Sequence, residues 1–337
     1  MERTNVPSSV KIKVVGLGGA GCNAITRMVQ EHIRGVDFIA MNTDAQQLEV
    51  TEAPVRIQLG GRLTRGLGAG GDEGTGKMCA EESGEEIRHA LGSADMVFLA
   101  AGMGGGTGTG AAPVVAEIAR QSGALTIAVV TRPFSFEGNR RVQVAEEGIR
   151  RLEGSADTVI AVPNDRLLRL TGQKTDIDNA FRLADEILCH AVQAIAELIT
   201  VPGLINVDFA SVRTVMEGSG PAWMSIGRGA GPNRAIQAAK ESLSSPLLDL
   251  SISGAKKVLF NISGSDNLSL FEVGGAARVI QEAVDPEANI IFGVGVDQRI
   301  GDEIKLTLIA TGFGSRNVMA GLYRDTTIPS RSTLNRA

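Results

Sequence analysis

The sequence predicts an α/β protein in which a Rossmann-like parallel-sheet domain precedes a smaller α+β domain. Apolar strands alternate with helices up to about residue 170. Two glycine-rich loops each stand between a strand and a helix, and the alternation gives way to another pattern after about residue 204. We therefore expect a first domain over 11–172, a long central helix with its connection over 173–203, and a second domain over 204–313.

Composition excludes several classes of function. The 337 residues carry a net charge of -5 with both signs interspersed, which does not indicate a surface for nucleic acid or anionic membranes. Aromatic residues make up only 4%, which argues against base-stacking platforms. No stretch has the length of a membrane span, and the N-terminus lacks an apolar signal segment. We expect a cytoplasmic protein without membrane insertion.

Cysteine and histidine spacing indicates neither disulfides nor a metal site. Cys22, Cys79 and Cys189 are odd in number and widely spaced, as is typical of reduced thiols. The three histidines do not stand at ligand spacing from them. We therefore expect no metal ligands from side chains.

The first strand, Lys11 to Val15, leads into the loop Gly16 to Gly21 and then into a helix. The loop has the spacing G-x-G-x-x-G, which is the fingerprint of dinucleotide-binding proteins. The same geometry suits any nucleotide phosphate, because glycines let the backbone approach an anion at a helix N-terminus. By itself the motif leaves open an NAD-dependent oxidoreductase.

A second strand, Val36 to Met41, ends in the polar segment Asn42 to Gln46. Polar side chains after a parallel strand lie at the edge of the sheet where ligands bind. Thr43 and Asp44 are equally suited to a turn that caps the next helix. Both interpretations stay open from the sequence.

The third strand, Val55 to Leu59, precedes a long glycine-rich stretch from Gly60 to Gly76. Part of this stretch matches a P-loop, but Met78 takes the place of the Ser or Thr that holds magnesium, and no strand leads directly into it. We predict instead a mobile loop near a γ-phosphate. Its tip is Ala69, Gly70, Gly71 and Asp72.

The predicted architecture is organised around the segment Gly104 to Gly110, GGGTGTG. It follows a strand over 96–101 that is apolar throughout, and a helix with Pro113 near its first turn follows it. Its backbone N–H groups and the hydroxyls of Thr107 and Thr109 are donors for an anion. A flexible linker is a poor alternative, because linkers do not join a buried strand directly to a helix.

Further strands are predicted from Leu125 to Thr131 and over 157–162. Glu137 and Arg141 lie between them, either as a surface ion pair or as groups for sugar hydroxyls and phosphate. The strand over 157–162 is followed by Pro-Asn-Asp, which includes Asn164.

The long helix is predicted from Asp176 to Ile199. One predicted buried stripe contains Phe181, Ala184, Leu188, Ala191, Ile195 and Leu198. Phe181 and Asp185 stand four residues apart, so a base could stack on one and hydrogen-bond to the other. For each residue alone, a structural role is the commoner alternative.

The second half of the chain contains no further glycine anion loop. We predict a glycine-rich segment over 218–231, a helix over 233–245, a strand over 257–263, a helix over 270–284, and strands over 289–296 and 303–311. Residues 1–10 and 314–337 are polar and are expected to be disordered.

The motifs GLGGAGCNA, NTDAQ, GGGTGTG, PFSFEG, PND and NVDFA occur in the order seen in the FtsZ family, which they resemble over about residues 11–313. The resemblance implies the tubulin/FtsZ fold and a GTPase that polymerises head-to-tail into the division ring at midcell. It implies GTP or GDP with Mg²⁺ as cofactors and other division-ring proteins as partners. It also decides against the NAD interpretation of the first loop.

The resemblance further implies a GTP site. Glu137 and Arg141 would reach the ribose and phosphates, and Asn23, Asn164, Phe181 and Asp185 would hold guanine. A carboxylate such as Asp185 can accept from both N1–H and the 2-amino group, a donor pair that adenine lacks. The implied binding residues are Gly19, Ala20, Gly21, Cys22, Asn23, Asn42, Asp44, Ala69, Gly70, Gly71, Gly102, Met103, Gly104, Gly105, Gly106, Thr107, Gly108, Thr109, Glu137, Arg141, Asn164, Phe181 and Asp185.

Catalysis in this family is completed by the neighbouring subunit's loop, here residues 204–213 with Asn206 and Asp208. The family usually has a second acid where this chain has Ser211. Because a hydroxyl is a poor base near neutral pH, we expect slow hydrolysis in a homopolymer. The alternative is a nearly inactive structural subunit that co-assembles with a second, active FtsZ. The segment after residue 313 is only a faint match to the family's adaptor-binding tail, so we do not predict adaptor binding from it.

Overall fold

The computed structural model describes residues 10–171, 176–200, 203–245 and 252–313. Within these ranges the strands form one ten-stranded sheet. Its strands are β1 (Ile12–Leu17), β2 (Val36–Asn42), β3 (Val55–Gln58), β4 (Met96–Gly102), β5 (Leu125–Arg132), β6 (Thr158–Pro163), β7 (Gly220–Gly229), β8 (Lys257–Gly264), β9 (Asn289–Val296) and β10 (Ile304–Thr311). The segments predicted to be disordered lie outside the described residues, apart from Val10.

The helices occupy both faces of this sheet. They are α1 (Gly18–Gln30), α2 (Ala45–Val50), α3 (Gly61–Thr64), α4 (Glu73–Glu82), α5 (Gly84–Leu91), α6 (Thr107–Gln121), α7 (Asn139–Ser155), α8 (Asn164–Thr171), α9 (Ile177–Thr200), α10 (Phe209–Met216), α11 (Arg234–Leu243) and α12 (Leu270–Ala283). In the described part of the chain, none of them is long and apolar enough to cross a membrane.

The strand order is β3-β2-β1-β4-β5-β6-β7-β10-β8-β9. The pairs from β3 to β6 are parallel, and the start of β7 extends this parallel sheet alongside β6. Strand β10 then runs antiparallel to both β7 and β8. The prediction of an α/β protein with a parallel-sheet domain and a smaller α+β part is confirmed.

Two cores sandwich the parallel strands because neighbouring residues in a strand point to opposite faces. Val14 and Phe98 pack in the core that contains α1 and α9. The next residues, Val15 and Leu99, pack in the core that contains α4, α5, α6 and α7. A third core lies between the second-half strands and helices α11 and α12.

Helix α9 packs against both halves of the molecule. Five of the six predicted stripe residues are buried in the first core, and a Cβ on Gly293 of β9 would lie 2.4 Å from the Leu198 side chain. Phe181 departs from the prediction, because its side chain is 41% exposed near the helix start. It is therefore available to a ligand.

Glycine-rich segments that were predicted to be irregular contain helices and a strand. The stretch predicted as a loop from Gly60 to Gly76 contains α3 and the first residues of α4, and its neighbour α5 was also missed. The segment 218–231 contains β7. A Cβ on Gly227 or Gly229 would lie about 2 Å from carbonyl oxygens of α11 (2.0 and 1.9 Å), so glycine is needed there for close helix–strand packing rather than for a loop.

Candidate nucleotide site

A cavity of about 380 Å³ opens at the carboxyl ends of β1, β4, β5 and β6. This is the edge at which parallel α/β sheets bind ligands. Fourteen residues that the sequence predicted line this cavity: Gly19, Ala20, Asn23, Gly102, Met103, Gly105, Gly106, Thr107, Gly108, Glu137, Arg141, Asn164, Phe181 and Asp185. The structure therefore brings together residues from five separate motifs.

Helices α1 and α6 both begin inside the glycine loops, at Gly18 and Thr107. Helix α6 thus starts four residues earlier than the sequence analysis placed it, and Pro113 lies in its second turn instead of its first. The first N–H groups of both helices have no intrahelical acceptor and carry partial positive charge. Together they are suited to bind an anion.

The two glycine loops touch each other closely. A Cβ on Gly18 in the first loop would lie 3.0 Å from the Gly108 nitrogen in the second, and one on Gly108 would lie 2.6 Å from the carbonyl oxygen of Gly102 at the end of β4. A side chain at Gly18 would separate the loops, and one at Gly108 would push α6 away from β4. The glycines therefore hold the N-termini of α1 and α6 next to each other.

The two threonines of GGGTGTG have different roles. Thr107 lines the cavity, and its Oγ1 lies 2.6 Å from Oγ1 of the buried Thr43. Thr109 is fully buried, and its hydroxyl accepts a hydrogen bond of 2.8 Å from the Gly104 N–H. Thr109 does not line the cavity, in contrast to the sequence-based expectation, and its side chain fixes the loop.

The predicted loop tip lies beside GGGTGTG but outside the cavity lining. A Cβ on Gly106 would lie 2.9 Å from the Ala69 methyl group, while Gly70 and Gly71 are exposed with φ of 59° and 78°. Asp72 caps α4 by accepting from the Thr75 N–H at 2.8 Å. The tip is placed where it could approach a group that extends out of the cavity.

The segment after β2 is a helix cap. Asp44 accepts from the N–H groups of Gln46 and Gln47 at 3.0 and 3.1 Å, and neither Asp44 nor Asn42 lines the cavity. Asn42 is buried and donates to Gln47 Oε1 at 3.0 Å. Gln47 itself lines the cavity next to Gly19, and the sequence analysis missed it. Its place three residues after the cap, facing back toward the strand end, was the available signal.

Gly21 and Cys22 support the loop from beneath. A Cβ on Gly21 would lie 2.4 Å from the carbonyl oxygen of Ala100, so only glycine lets α1 approach β4 here. Cys22 is buried, and burial raises the pKa of its thiol to about 11. Neither residue lines the cavity, in contrast to the sequence-based expectation.

One end of the cavity combines an aromatic face with two polar side chains. Phe181 lies edge-on to Phe134, with ring centroids 5.4 Å apart. Asn164 is 5% exposed, and its Oδ1 has no hydrogen-bond partner among the described residues. Burial raises the pKa of Asp185 to about 7, against a smaller lowering by Arg27. An unpaired amide oxygen and a desolvated carboxyl group make this end suited to a flat ligand with N–H donors.

Glu137 and Arg141 form the ion pair of one interpretation and also line the cavity, as the other interpretation requires. They form an ion pair of 2.5 Å at positions i and i+4, and both line the cavity. Glu137 also accepts from the Phe134 N–H at 2.8 Å, which fixes its carboxylate. Arg141 is 57% exposed and can swing toward an anion.

Asn206, Asp208 and Ser211 lie far from this cavity. The cavity residue Asp185 is near the start of α9, whereas these three residues follow its end, more than about 20 Å away along the helix. Asp208 caps α10 by accepting from the Ser211 N–H at 2.7 Å. Hydrogen bonds from the Ser211 hydroxyl and from this N–H lower the pKa of Asp208. Asn206 accepts from the Gly203 N–H at 2.6 Å. Part of the predicted loop 204–213 is thus the first half of α10.

Comparisons with known proteins agree with this architecture. The family model described as the Tubulin/FtsZ family GTPase domain matches residues 11–172, and that of the FtsZ family C-terminal domain matches residues 220–314. An FtsZ dimer from M. jannaschii is 46% identical with a TM-score of 0.88, covering 91% of this chain and 89% of that chain. A protofilament of CetZ2 from Haloferax volcanii is 22% identical with a TM-score of 0.77, covering 94% of this chain and 97% of that chain, which shows a shared fold.

Proposed function

Because this chain belongs to the tubulin/FtsZ family of GTPases, we propose that it binds GTP in the cavity, polymerises head-to-tail, and hydrolyses GTP where two subunits meet. The observation that carries the proposal is the position of two half-sites at opposite ends of α9. The nucleotide cavity lies at the start of this helix, and Asn206 and Asp208 follow its end. A second subunit is needed to bring two such half-sites together.

Guanine fits the polar end of the cavity. The ionised carboxylate of Asp185 would accept from N1–H and the 2-amino group, and the free Oδ1 position of Asn164 offers a further amide contact. Phe181 supplies an exposed ring face for the base. The N-termini of α1 and α6 would then hold the phosphates.

Magnesium fits this site as a companion of the phosphates. The described residues contain no group of three or more His, Cys, Asp or Glu side chains that could hold a metal. Mg²⁺ commonly keeps several waters and binds through substrate phosphates, which requires few protein ligands. When bound, the ion would offset phosphate charge during transfer to water.

Exposed apolar side chains support head-to-tail contact. One set follows the carboxyl ends of the parallel strands or the start of α9, around the cavity: Leu63, Leu67, Phe136, Ile177 and Phe181. A second set lies around the end of α9 and the carboxyl ends of β8 and β9: Leu204, Leu270, Phe271 and Val296. Two apolar surfaces at opposite ends of one molecule favour a heterologous, non-closing contact, which generates filaments.

Asp208 is suited to orient the attacking water. Its lowered pKa makes it a weak proton acceptor, so its main contribution would be hydrogen bonding and polarisation of the water. The water oxygen attacks the γ-phosphorus, the bond to the β–γ bridging oxygen breaks, and the proton passes to product phosphate or solvent. Ser211 can hydrogen-bond to this water but supplies no negative charge.

Simultaneous measurement of pelleting and phosphate release tests the proposal. With GTP and Mg²⁺, we expect polymer to form and the rate per polymerised subunit to be low. Release that is equally fast below and above the polymerisation threshold would contradict a site completed between subunits. Failure of GTP to bind would contradict the cavity assignment.

Replacing Ser211 with aspartate is expected to speed hydrolysis in the homopolymer. The added carboxylate restores a second acidic group near the water, and such groups contribute roughly 10²–10⁴-fold to rates. Turnover per polymerised subunit measures the effect, with Ser211→Asn as the neutral control of similar size. Equal turnover in both variants, with assembly intact, would contradict this role for position 211.

Lowering the pH is expected to weaken GTP binding. Asp185 must be ionised to accept two N–H donors, and with a pKa of about 7 it becomes protonated below neutrality, so affinity falls roughly tenfold from pH 8 to pH 6. Equilibrium binding across this range measures the effect. Asp185→Asn is the control, because phosphate titration is common to both proteins. A parallel pH profile in the two proteins would contradict the assignment.

We also propose that the filament acts in the division ring at midcell, in the cytoplasm and with other division proteins. A second candidate function is a structural subunit that co-assembles with an FtsZ that has both acids. Ser211 favours this candidate, because a polar filament lets the partner's loop act on this chain's GTP. Mixing the two proteins should then raise turnover per polymer, and no gain would contradict co-assembly.

A further inference from the structure

A second groove, of about 680 Å³, lies on the face of the first domain that carries α4, α5, α6 and α7. Its floor includes Pro113, Val114 and Ile118 of α6, and α4 and α5 form one wall. None of the residues assigned above to the nucleotide cavity lines it. The groove is therefore a separate feature of the surface.

The rim of this groove is negatively charged. It includes five glutamates and three cations: Glu73, Glu81, Glu82, Glu85, Glu117, Lys77, Arg88 and Arg151. Each of the cations already pairs with a glutamate of the same groove. Glu117 has no ion pair among the described residues, and the partner of Glu82 is the outlying, 89% exposed Arg62. The surplus charge suits a basic ligand with apolar side chains for the floor.

Residues 314–337 of the same chain have this composition. They contain four arginines and one aspartate, a net charge of +3, although the whole chain carries -5. The preceding 313 residues therefore carry -8, since -5 minus +3 is -8. Apolar side chains alternate with the arginines in this segment, including Leu322, Tyr323 and Ile328. Charge and hydrophobicity both complement the groove.

The described chain ends at the same edge of the sheet as one end of the groove. Strand β10 ends at the edge of the sheet where β6 and β7 begin, because Ala310 pairs with Trp223 and Thr158 pairs with Gly220. Helices α5, α6 and α7 also end at this edge, and Arg88, Gln121 and Ser155 mark that end of the groove.

The chain also leaves the sheet on the face that carries α6 and α7. Ala222 and Met224 of β7 pack in the core with α9, so Trp223 between them points toward the face that carries α6 and α7. The ring of Phe313 packs on Trp223 with centroids 4.1 Å apart. The 24 residues that follow could extend up to about 80 Å, far more than the groove requires.

We propose that residues 314–337 dock in this groove of their own chain, with arginines facing Glu82 and Glu117 and apolar side chains on the α6 floor. The docked segment would contact α4 and α6, the two helices that begin beside the glycine loop. This inference does not depend on GTP hydrolysis or on the identity of the nucleotide.

Cysteine cross-linking in the full-length protein tests the proposal. The native cysteines are all buried, so introduced exposed cysteines can be modified selectively. We would pair Ser332→Cys in the segment with Gln121→Cys at the groove, or with Gln237→Cys on α11 as the exposed control, and use a short bismaleimide. Docking is expected to make the monomeric cross-link to position 121 roughly tenfold faster, because it raises the local concentration. Glu117→Lys with Glu82→Lys, and 0.5 M salt, should each remove most of this advantage.

Each outcome decides the proposal. Faster cross-linking at position 121 that is lost with the lysine variants supports docking in the chain's own groove. Equal rates at positions 121 and 237 overturn it. Cross-linked dimers in place of monomers overturn it in favour of docking between neighbours. An advantage that survives both charge reversal and salt overturns the electrostatic basis.

Discussion

Replacing Phe271 with glutamate is expected to abolish polymerisation while GTP still binds normally. Phe271 is 89% exposed at the start of α12, on the apolar surface around the end of α9. Loss of a buried phenyl ring costs about 1.5–3 kcal/mol, and desolvating an unpaired carboxylate adds further cost. A total near 4 kcal/mol per contact would raise the polymerisation threshold roughly a thousandfold.

Sedimentation and GTP turnover measure this effect together, because turnover requires two subunits. Val50→Glu is the matched control, since Val50 is 77% exposed at the end of α2, outside both apolar surfaces. We expect the control to polymerise as the unmodified protein does. Normal polymer from the Phe271 variant would place the subunit contact elsewhere.

Replacing Asp208 with asparagine is expected to reduce turnover by roughly 10²–10⁴-fold while polymers still form and persist longer. The substitution removes the charge that polarises the water, yet asparagine caps helices as well as aspartate does. It therefore separates catalysis from the capping of α10, where Asp208 accepts from the Ser211 N–H.

Asp208→Ala completes the comparison, because alanine removes both the charge and the cap. Loss of a cap alone costs about 1 kcal/mol of stability. If turnover survives in the asparagine variant but not in the alanine variant, Asp208 acts on structure and the catalytic proposal is wrong. Phosphate release per pelleted subunit, with thermal unfolding as a check on stability, distinguishes these cases.

Local sequence predicted the groups of the site that depend on local geometry. In each glycine motif the strand, the loop and the first turn of the helix lie within a few residues of one another. The sequence alone could therefore assign Gly19 and Thr107, which line the cavity, to one site. Asp185 and Phe181 could be paired because residues four apart share one side of a helix. Which of the other polar residues line the cavity could not be predicted in this way.

Glycines that close packing requires cannot be distinguished by sequence alone from glycines of loops. Gly227 and Gly229 let α11 approach β7, and their number suggested an irregular segment instead of a strand. Thr109 has a hydroxyl that could donate to an anion, but the side chain is fully buried and the hydroxyl accepts from the Gly104 N–H. Gln47 lines the cavity while its side chain accepts from Asn42, and its position three residues after the Asp44 cap was the signal that could have predicted it.

The sequence by itself predicted the fold class and the two glycine loops, because hydrophobic periodicity and glycine spacing act over short stretches of chain. The residues of the polar end of the cavity were implied by the family resemblance. Only the tertiary structure decided that Asp208 and the cavity lie at opposite ends of α9, and that the acidic groove reaches the sheet edge at which the described chain ends. Such distances depend on how strands distant in sequence pair within one sheet. That pairing is set by the burial of apolar faces across the whole domain.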